Sequence, residues 1–554
     1  MKSNFFTSVH AFLRARRFPL ACALIVAVLT SLPYIFGAWI TPDDRVFMGI
    51  VTNTPDIAQY WSWWKGFTTA NLISNQLTPE PNEAVFFNLL WWLLAKISVL
   101  TGASAIGVTQ GYRIFSIFAF ALALDWFIRM VQPEAKRRAA AFLLAYFGGG
   151  LGWLWVVEKY LSHRSDVLFP ADVYVIESNS FLAMLGFNHF IISATLMLLI
   201  YGFFLLGYER QQWRYTALAC LSAIVLGWEH AYDILLMGAI LAAFTLALLL
   251  RDGWRWQPVI SLFLVGITSI WPSLYSLYIT RTFPVWKAVL AQFDNAGAWT
   301  PDPFHLLFLM GLPFIAALLG FTGFVPLKRL SPQALFVRVW FLANFFLIYI
   351  PLNFQIHYLN GWQIPVAILA AETFFGSMLP WLEEKLQALA WVKRISWTRL
   401  STGIGLAVLA ATLLVNVYLL AWQFVVVKRL PHTHFPYKDE VAALDWLAQN
   451  AQADDVVLSA SDVGQYIPSR TGARAFIAHW AMTKDLYEKQ ALVEAFFDAA
   501  TPAADRLKVI EEYSVDYVLV GASERELGGF DASEAAFLQP CFSLPKASVY
   551  CVLR

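Results

Sequence analysis

The chain runs to 554 residues, of which 59% are hydrophobic and only 14% charged, against about 45–50% and about 25% in an ordinary soluble domain. With a mean hydropathy of +0.57 and 24 Trp, 45 Phe and 21 Tyr, this composition excludes a soluble enzyme, a disordered chain and a coiled coil, and describes a polytopic α-helical membrane protein. A net charge of +1 offers no basic field for nucleic acid, so the few charges are read by position.

The first apolar run, Phe18 to Ile40, follows Arg14, Arg16 and Arg17. At about 1.5 Å per residue it crosses roughly 30 Å of hydrocarbon. It is too long for a signal-peptide core and lacks a small-residue cleavage site, so it reads as a span. Further apolar runs at 106–130, 138–157, 181–207, 214–229, 231–250, 257–279, 303–323, 334–353, 361–381 and 401–425 bring the expected number to eleven. The run 84–101 is a candidate twelfth, and the positive-inside rule decides it. Counted as a span, it would send Lys136/Arg137/Arg138, Arg210/Arg214, Arg251/Arg255 and Lys328/Arg329 outside. Laid flat in the interface, it puts all of these, the N-terminal arginines and Lys385, Lys393, Arg394 and Arg399 on the cytoplasmic side. A juxtamembrane amphipathic helix is therefore predicted there, with the N-terminus inside and the C-terminus outside.

After Phe424 the composition shifts to charged, mixed segments. Helices at 439–450, 485–499 and 503–513 and strands at 455–459, near 474–478, at 516–520 and at 547–553 predict a small extracytoplasmic α/β domain. The expected division is 1–17 as cytoplasmic N-terminus, 18–427 as membrane domain with a functional outer loop 41–105, and 428–554 as outer domain. None of the four cysteines has metal-site spacing. Cys22 and Cys220 read as core thiols, whereas Cys541 and Cys551 can pair if their domain is extracytoplasmic.

On this topology eight of the nine histidines, all but His10, fall on the outer side. The loop 41–83 carries Asp43, Asp44, Asp56, Glu80 and Glu83 among Tyr60, Trp61, Trp63 and Trp64, and a long loop beside a bundle is more often functional than idle. A carboxylate at headgroup level can take the proton of an attacking hydroxyl while a cation stabilises a departing phosphate. Asp43 and Asp44 after Pro42, and Asp56 before Tyr60 and Trp64, read equally as helix caps. Arg113 is expected about two turns into a span, where a cation needs a partner. Glu177, His189, His230 with Asp233, and His357 recur at outer helix ends, with Gly227-Trp-Glu-His-Ala-Tyr-Asp233 the densest group. On the inner half Asp125 and Arg129, four apart, are expected to pair, and Glu372 sits in mid-span without an assigned role.

Asp56-Ile-Ala-Gln-Tyr60 resembles the Asp-Glu-x-x-Tyr element after the first span of GT-C glycosyltransferases, the superfamily of protein mannosyltransferases and aminoarabinose transferases. The stretch Thr78 to Phe87 with Trp91-Trp92 is similar to their Pro-rich juxtamembrane element, and Gly111-Tyr-Arg113 to the Arg opening their second span. Glu177-Ser-Asn-Ser-Phe181, His189, His230-Ala-Tyr232, Pro284-Val-Trp286 and Gly472-Ala-Arg with Ala478-His-Trp480 resemble bacterial members more closely. Two departures stand out: Ile57 replaces the usual second acid, and Gln355-Ile-His-Tyr358 replaces a basic pair.

The resemblance implies a GT-C-like bundle with an outer α/β domain, transferring a hexosyl or pentosyl unit from a polyprenyl-phosphate sugar to a glycan, lipid or protein hydroxyl at the bacterial inner membrane. It assigns Asp56 as general base with Asp43 or Asp44 as substitute, Arg113, His357, His230 and Tyr60 to the donor phosphate, and Glu177, His189, Glu83 and Trp480 to the cavity or acceptor. A divalent cation, Mg or Mn, is an optional cofactor on this reading. The rival readings are a transporter or flippase of lipid-linked saccharides and a transferase-like scaffold that has lost catalysis.

Overall fold

The computed structural model of the chain describes residues 13–163, 171–292, 299–322, 325–352, 354–386 and 396–553. His10, Gly323, Asn353, Lys393 and Arg394 of the sequence reading lie outside them. Eight helices among the described residues are long and apolar enough to cross a membrane: Arg17–Ile40, Ala105–Val131, Ala135–Leu161, Asn188–Arg210, Asp233–Asp252, Trp256–Thr282, Gln355–Leu386 and Trp397–Lys428. The other three expected spans are short or broken. The run 214–229 becomes Trp213–Glu229 with 17 residues, 334–353 becomes Pro332–Leu347 with 16, and 303–323 splits into Pro303–Leu309 and Gly311–Leu319. The chain divides into two units: 1–31, 112–273 and 295–422 make the first, and 32–111, 274–294 and 423–554 the second.

In the first unit, burial separates central from lipid-facing helices. The most apolar window of Asn188–Arg210 is 72% buried, whereas those of Trp256–Thr282 and Trp397–Lys428 are only 22% buried. The segment Ala135–Leu161 is broken at Gly148-Gly-Gly-Leu151. A Cβ on Gly149 would lie 2.0 Å from Val415 Cγ1 and one on Gly150 1.6 Å from the Leu309 carbonyl, so only glycine fits. Apolar surroundings tolerate orphaned backbone groups poorly, and several of the groups freed here find partners. Asn416 donates to the Phe147 carbonyl and Gln363 to that of Gly148. Gly149 N–H donates to Thr412 O at 3.1 Å and Leu151 N–H to Phe308 O at 3.0 Å. Asp172 Oδ2 accepts from the N–H groups of Gly150 (2.9 Å) and Gly152 (3.2 Å). Asp125 pairs with Arg129 at 2.8 Å, as the spacing predicts, and also with Arg16 at 2.5 Å. Glu372 pairs with Arg338 at 2.8 Å, which supplies the counterion the sequence left unnamed.

In the second unit, α1 (Thr54–Thr69) starts at Asn53, whose side chain accepts from Asp56 N–H, with Pro55 in the first turn. Helix α2 (Leu89–Thr101) is capped by Asn88 and stopped by Gly102 at φ 71°. Its 13 residues extend about 20 Å, short of a bilayer. It buries Leu90, Trp91, Leu94, Ala95 and Ser98 and exposes Leu93, Ile97 and Leu100, the apolar outer face of the expected juxtamembrane helix.

The C-terminal segment forms α3 (Lys438–Asn450), β1 (Val456–Leu458), β2 (Arg474–Ala475), α4 (Leu486–Phe497), α5 (Ala503–Glu512), β3 (Val515–Val520), β4 (Leu538–Ser543) and β5 (Ser548–Val552). The sheet order is β2-β1-β3-β5-β4, parallel across β2, β1 and β3 and antiparallel from β3 through β5 to β4. Strand alternation sorts the core. Val456, Leu458, Val518 and Val520 pack with Val493, Phe496, Val509 and Ile510, while Val457, Leu519 and Val549 pack with Leu444, Leu447 and Tyr466. The sequence pattern missed β4, an edge strand interrupted by Pro540. A disulfide joins its Cys541 to Cys551 of β5.

Candidate functional site

In the second unit the structure brings Asp56 against His479. Asp56 lies in the first turn of α1, where the partial positive charge of the helix end favours a carboxylate. Asp56 Oδ2 accepts from Asn53 Nδ2 at 2.6 Å, and Oδ1 lies 2.9 Å from His479 Nε2. The cap of α1 is therefore Asn53, and Asp56 is spared for another role. Its side chain is 21% exposed, against 4% for His479, so one edge of the carboxylate is open to a reactant. Tyr60, one turn along α1, stacks on Trp91 of α2 with centroids 5.0 Å apart at 14°, tying the acid-bearing helix to the juxtamembrane one. Trp480, beside His479, is 41% exposed.

The loop before α2 is fastened to the segment 478–489. Asn75 Nδ2 donates to Met482 O at 2.8 Å, and Thr483 Oγ1 to Leu77 O at 2.7 Å. Lys489, only 1% exposed, pairs with Glu80 at 2.6 Å. The other predicted acids go elsewhere. Asp44 pairs with Lys546 at 2.6 Å, with both side chains exposed, and that contact holds its carboxyl below the usual range. Glu83 is exposed, and Asp43 is exposed in the turn after Pro42.

A second polar cluster belongs to the first unit. His357 Nδ1 hydrogen-bonds Glu177, and His230 Nδ1 lies 2.6 Å from Asp233 Oδ2, which also accepts from Asn360 Nδ2 at 2.7 Å and from Ser193. The His189 and His230 rings are 5.6 Å apart, and Tyr232 stands 5.4 Å from His357. Two predicted phosphate cations thus already face carboxylates. Arg113, 3% exposed, donates to the hydroxyls of Thr30 and Ser31, which pass the bond to Val26 and Ala27 carbonyls. Asp233 was singled out beside His230 without a role of its own, and Asn360, Ser193 and His479 were given none. For His479 a signal existed in Ala478-His-Trp480, but it was read for the indole.

A third cluster in the second unit imitates a nucleophilic triad. Ser523 Oγ lies 3.1 Å from His432 Nδ1, and His432 Nε2 lies 2.6 Å from Glu440 Oε2. Ser523 instead donates to Asp462 Oδ2 at 3.0 Å, itself 3.7 Å from the ring. Burial opposes the imidazolium, but Asp462 and Glu440 overcome it and push the His432 pKa up to about 10. A ring that donates from both nitrogens cannot take the serine proton, so this is a clamp rather than a nucleophile. Burial alone would raise the Glu440 pKa, yet the contact with His432 and the N–H groups of Ala522 and Tyr437 bring it below the ordinary value. Asp462 is lowered by its bond to His432. A histidine raised from 6.5 to about 10 contributes stability that is full below about pH 6.5 and fades through about pH 10, while lowered carboxylates contribute stability lost in acid. The clamp itself is therefore expected to contribute most between about pH 5 and 6.5. Denaturation of wild type and His432→Gln across pH checks this, since the variant should lose the alkaline decline.

Among the described residues, no group of three or more His, Cys, Asp or Glu gathers to hold a metal ion. The side chains bonded to Asp56 are Asn53 and His479, so Asp56 meets no second carboxylate in these contacts and they do not fit the oxygen-rich ligand set of a divalent cation.

No family model matches the chain, nor does any curated protein. Solved structures do. AglB, the archaeal oligosaccharyltransferase of Archaeoglobus fulgidus, in complex with an inhibitory peptide and a dolichol-phosphate, matches at a TM-score of 0.55 and 13% identity over 92% of this chain and 70% of that one. The Archaeoglobus fulgidus oligosaccharyltransferase tethered to an acceptor peptide matches at 0.56 and 14% identity over 97% and 74%. ArnT from Cupriavidus metallidurans bound to undecaprenyl phosphate matches at 0.49 and 14% identity over 97% and 98%, a likeness too loose to carry an argument. The chain therefore has the fold of these oligosaccharyltransferase structures; the GT-C glycosyltransferases are the class its motifs resemble. Within that class it shares the fold of the archaeal oligosaccharyltransferase over nearly its whole length.

Proposed function

We propose that the chain is an integral membrane glycosyltransferase that moves a sugar from a polyprenyl-phosphate donor to an acceptor hydroxyl on the outer face of a bacterial plasma membrane. The observation that carries the reading is the Asp56 carboxylate. It is held from both sides, partly open and at a helix N-terminus, on a helix stacked against an apolar juxtamembrane one, in the fold of an enzyme solved with dolichol-phosphate. In the proposed reaction Asp56 takes the acceptor O–H proton as the acceptor oxygen bonds to the anomeric carbon. The bond from that carbon to the phosphate oxygen breaks, and polyprenyl phosphate leaves with the electron pair. The Cys541–Cys551 disulfide supports an oxidising outer compartment for the C-terminal segment. His230 and His357 remain proposed phosphate-side groups of the first unit. Sugar identity, hexosyl or pentosyl, is left to experiment.

One observation favours the rival carrier reading: Gly150 and Gly311 mark two broken helices that meet, with a Cβ on Gly311 3.0 Å from Gly150 Cα, and broken helices are frequent in transporters. At the Gly148 break the amides of Asn416 and Gln363 and the carboxylate of Asp172 take up freed backbone groups, which commits them to the protein itself and favours the enzyme. A panel of polyprenyl-phosphate sugars incubated with detergent-purified protein decides between them. Transfer or donor hydrolysis is expected with at least one donor; binding without turnover would favour the carrier, and no binding would overturn both.

A further inference from the structure

We propose that His479 is a positioning residue for Asp56, held in a single neutral tautomer by its own loop; the inference rests on the reading of Asp56 as the base. The side chain is 4% exposed and both nitrogens are engaged. Ala481 N–H donates to Nδ1 at 3.1 Å, and Nε2 lies 2.9 Å from Asp56 Oδ1. A nitrogen that accepts a hydrogen bond carries no proton, so the ring proton sits on Nε2 and is donated to the carboxylate.

This arrangement has two chemical results. A neutral donor orients the carboxylate without cancelling its charge, which a base needs until it takes the acceptor's proton. With the Nδ1 lone pair engaged by Ala481 and Nε2 already carrying the proton, the ring offers Asp56 a donor and no free lone pair, so the proton taken from the acceptor is held on Asp56. The loop that fixes the ring is fastened independently. Thr483 Oγ1 accepts from Ala478 N–H at 3.0 Å while donating to Leu77 O, Asn75 holds Met482, and Asp485 N–H donates to Gln292 Oε1 at 2.9 Å. His479 is therefore set from loop 75–77 and from residue 292, and in turn it sets Asp56.

Two substitutions divide the ring's two contacts. His479→Asn places a polar atom where Nδ1 lies and keeps the Ala481 bond while losing the donor to Asp56. His479→Gln reaches the Nε2 position and keeps that donor while losing the loop contact. For the donor turned over by wild type, the Gln variant is expected to stay within about threefold in kcat and the Asn variant to fall about 10–100-fold, the usual cost of losing an orienting partner, with KM unchanged in both. The reverse ranking, or two variants equal to wild type, would overturn the proposal and leave His479 a support of its loop. A second measurement needs no donor: 15N-histidine spectra of the full chain in bilayers. The signal absent from His479→Gln is expected to show a protonated Nε2 and an unprotonated Nδ1, with Nε2 displaced in Asp56→Asn. A doubly protonated ring, or an Nε2 signal unmoved by Asp56→Asn, would overturn the proposal. If no donor is turned over by wild type, the transferase reading fails while the spectra still judge the Asp56–His479 contact.

Discussion

Asp56→Asn is expected to lower glycosyl transfer by about 10²–10⁴-fold, the usual contribution of a positioned base, with expression and donor binding unchanged. The substitution keeps the side chain's shape and removes the charge. Asn53 caps α1, so the helix keeps its start. What is lost to stability is the favourable placement of a carboxylate in the first turn, about 0.3–1 kcal/mol, together with one of the two hydrogen bonds from Asn53 and His479, about 1.5–3 kcal/mol for a bond to a charged group; unfolding of the variant beside wild type checks that the chain stays folded. A fall in transfer at constant donor binding therefore reads out chemistry. Full activity in the variant would remove Asp56 as base, and Asp43 and Asp44 would need testing despite their exposure and the pairing of Asp44 with Lys546.

The second large effect is expected at Glu80. Lys489 is 1% exposed and its ammonium faces Glu80 at 2.6 Å, with the Lys484 carbonyl as a further acceptor. Glu80→Gln leaves that ammonium buried beside a neutral amide, and breaking one side of a buried pair costs about 3–5 kcal/mol. Because Glu80 is 20% exposed, the low end, about 3 kcal/mol, is expected. The measurement is denaturant unfolding of the detergent-solubilised chain. Glu80→Gln combined with Lys489→Met should recover most of the loss, since removing both charges is often neutral. A double variant as unstable as the single one would show that the loop is held by its amide and hydroxyl bonds instead.

Much of the fold was legible because two patterns are local. Apolar runs of membrane length marked eight helices, with ends off by up to seven residues, and short β-type runs marked β1, β3 and β5. The breaks at Gly148 and Met310 were not legible, because a run that stays apolar through a kink looks like one span; the cause is a close approach of Gly150 and Gly311 that no periodicity records. β4 was hidden by Pro540. The site was half legible. Asp56 stood out by its neighbours, but its partner lies 423 residues away, and nothing local distinguishes His479 from the adjacent, larger Trp480. Arg113 was read as needing a carboxylate, phosphate or carbonyl, and its partners include the hydroxyls of Thr30 and Ser31 on the first span. His357 was read as a free cation because Glu177, 180 residues earlier, carries no mark of facing it.

The glycine break also dictates how the chain can be made. The Phe147 and Gly148 carbonyls take their hydrogen bonds from Asn416 and Gln363, which are 269 and 215 residues further along, and Gly149 N–H waits for Thr412. When the ribosome has delivered residue 150 to the bilayer, none of these partners exists. The segment must remain a continuous helix, or stay in the insertion machinery, until the last span arrives. Its bend is then completed late in biogenesis, and a chain shortened before residue 412 would lack the Thr412 and Asn416 partners while keeping Gln363 and Asp172.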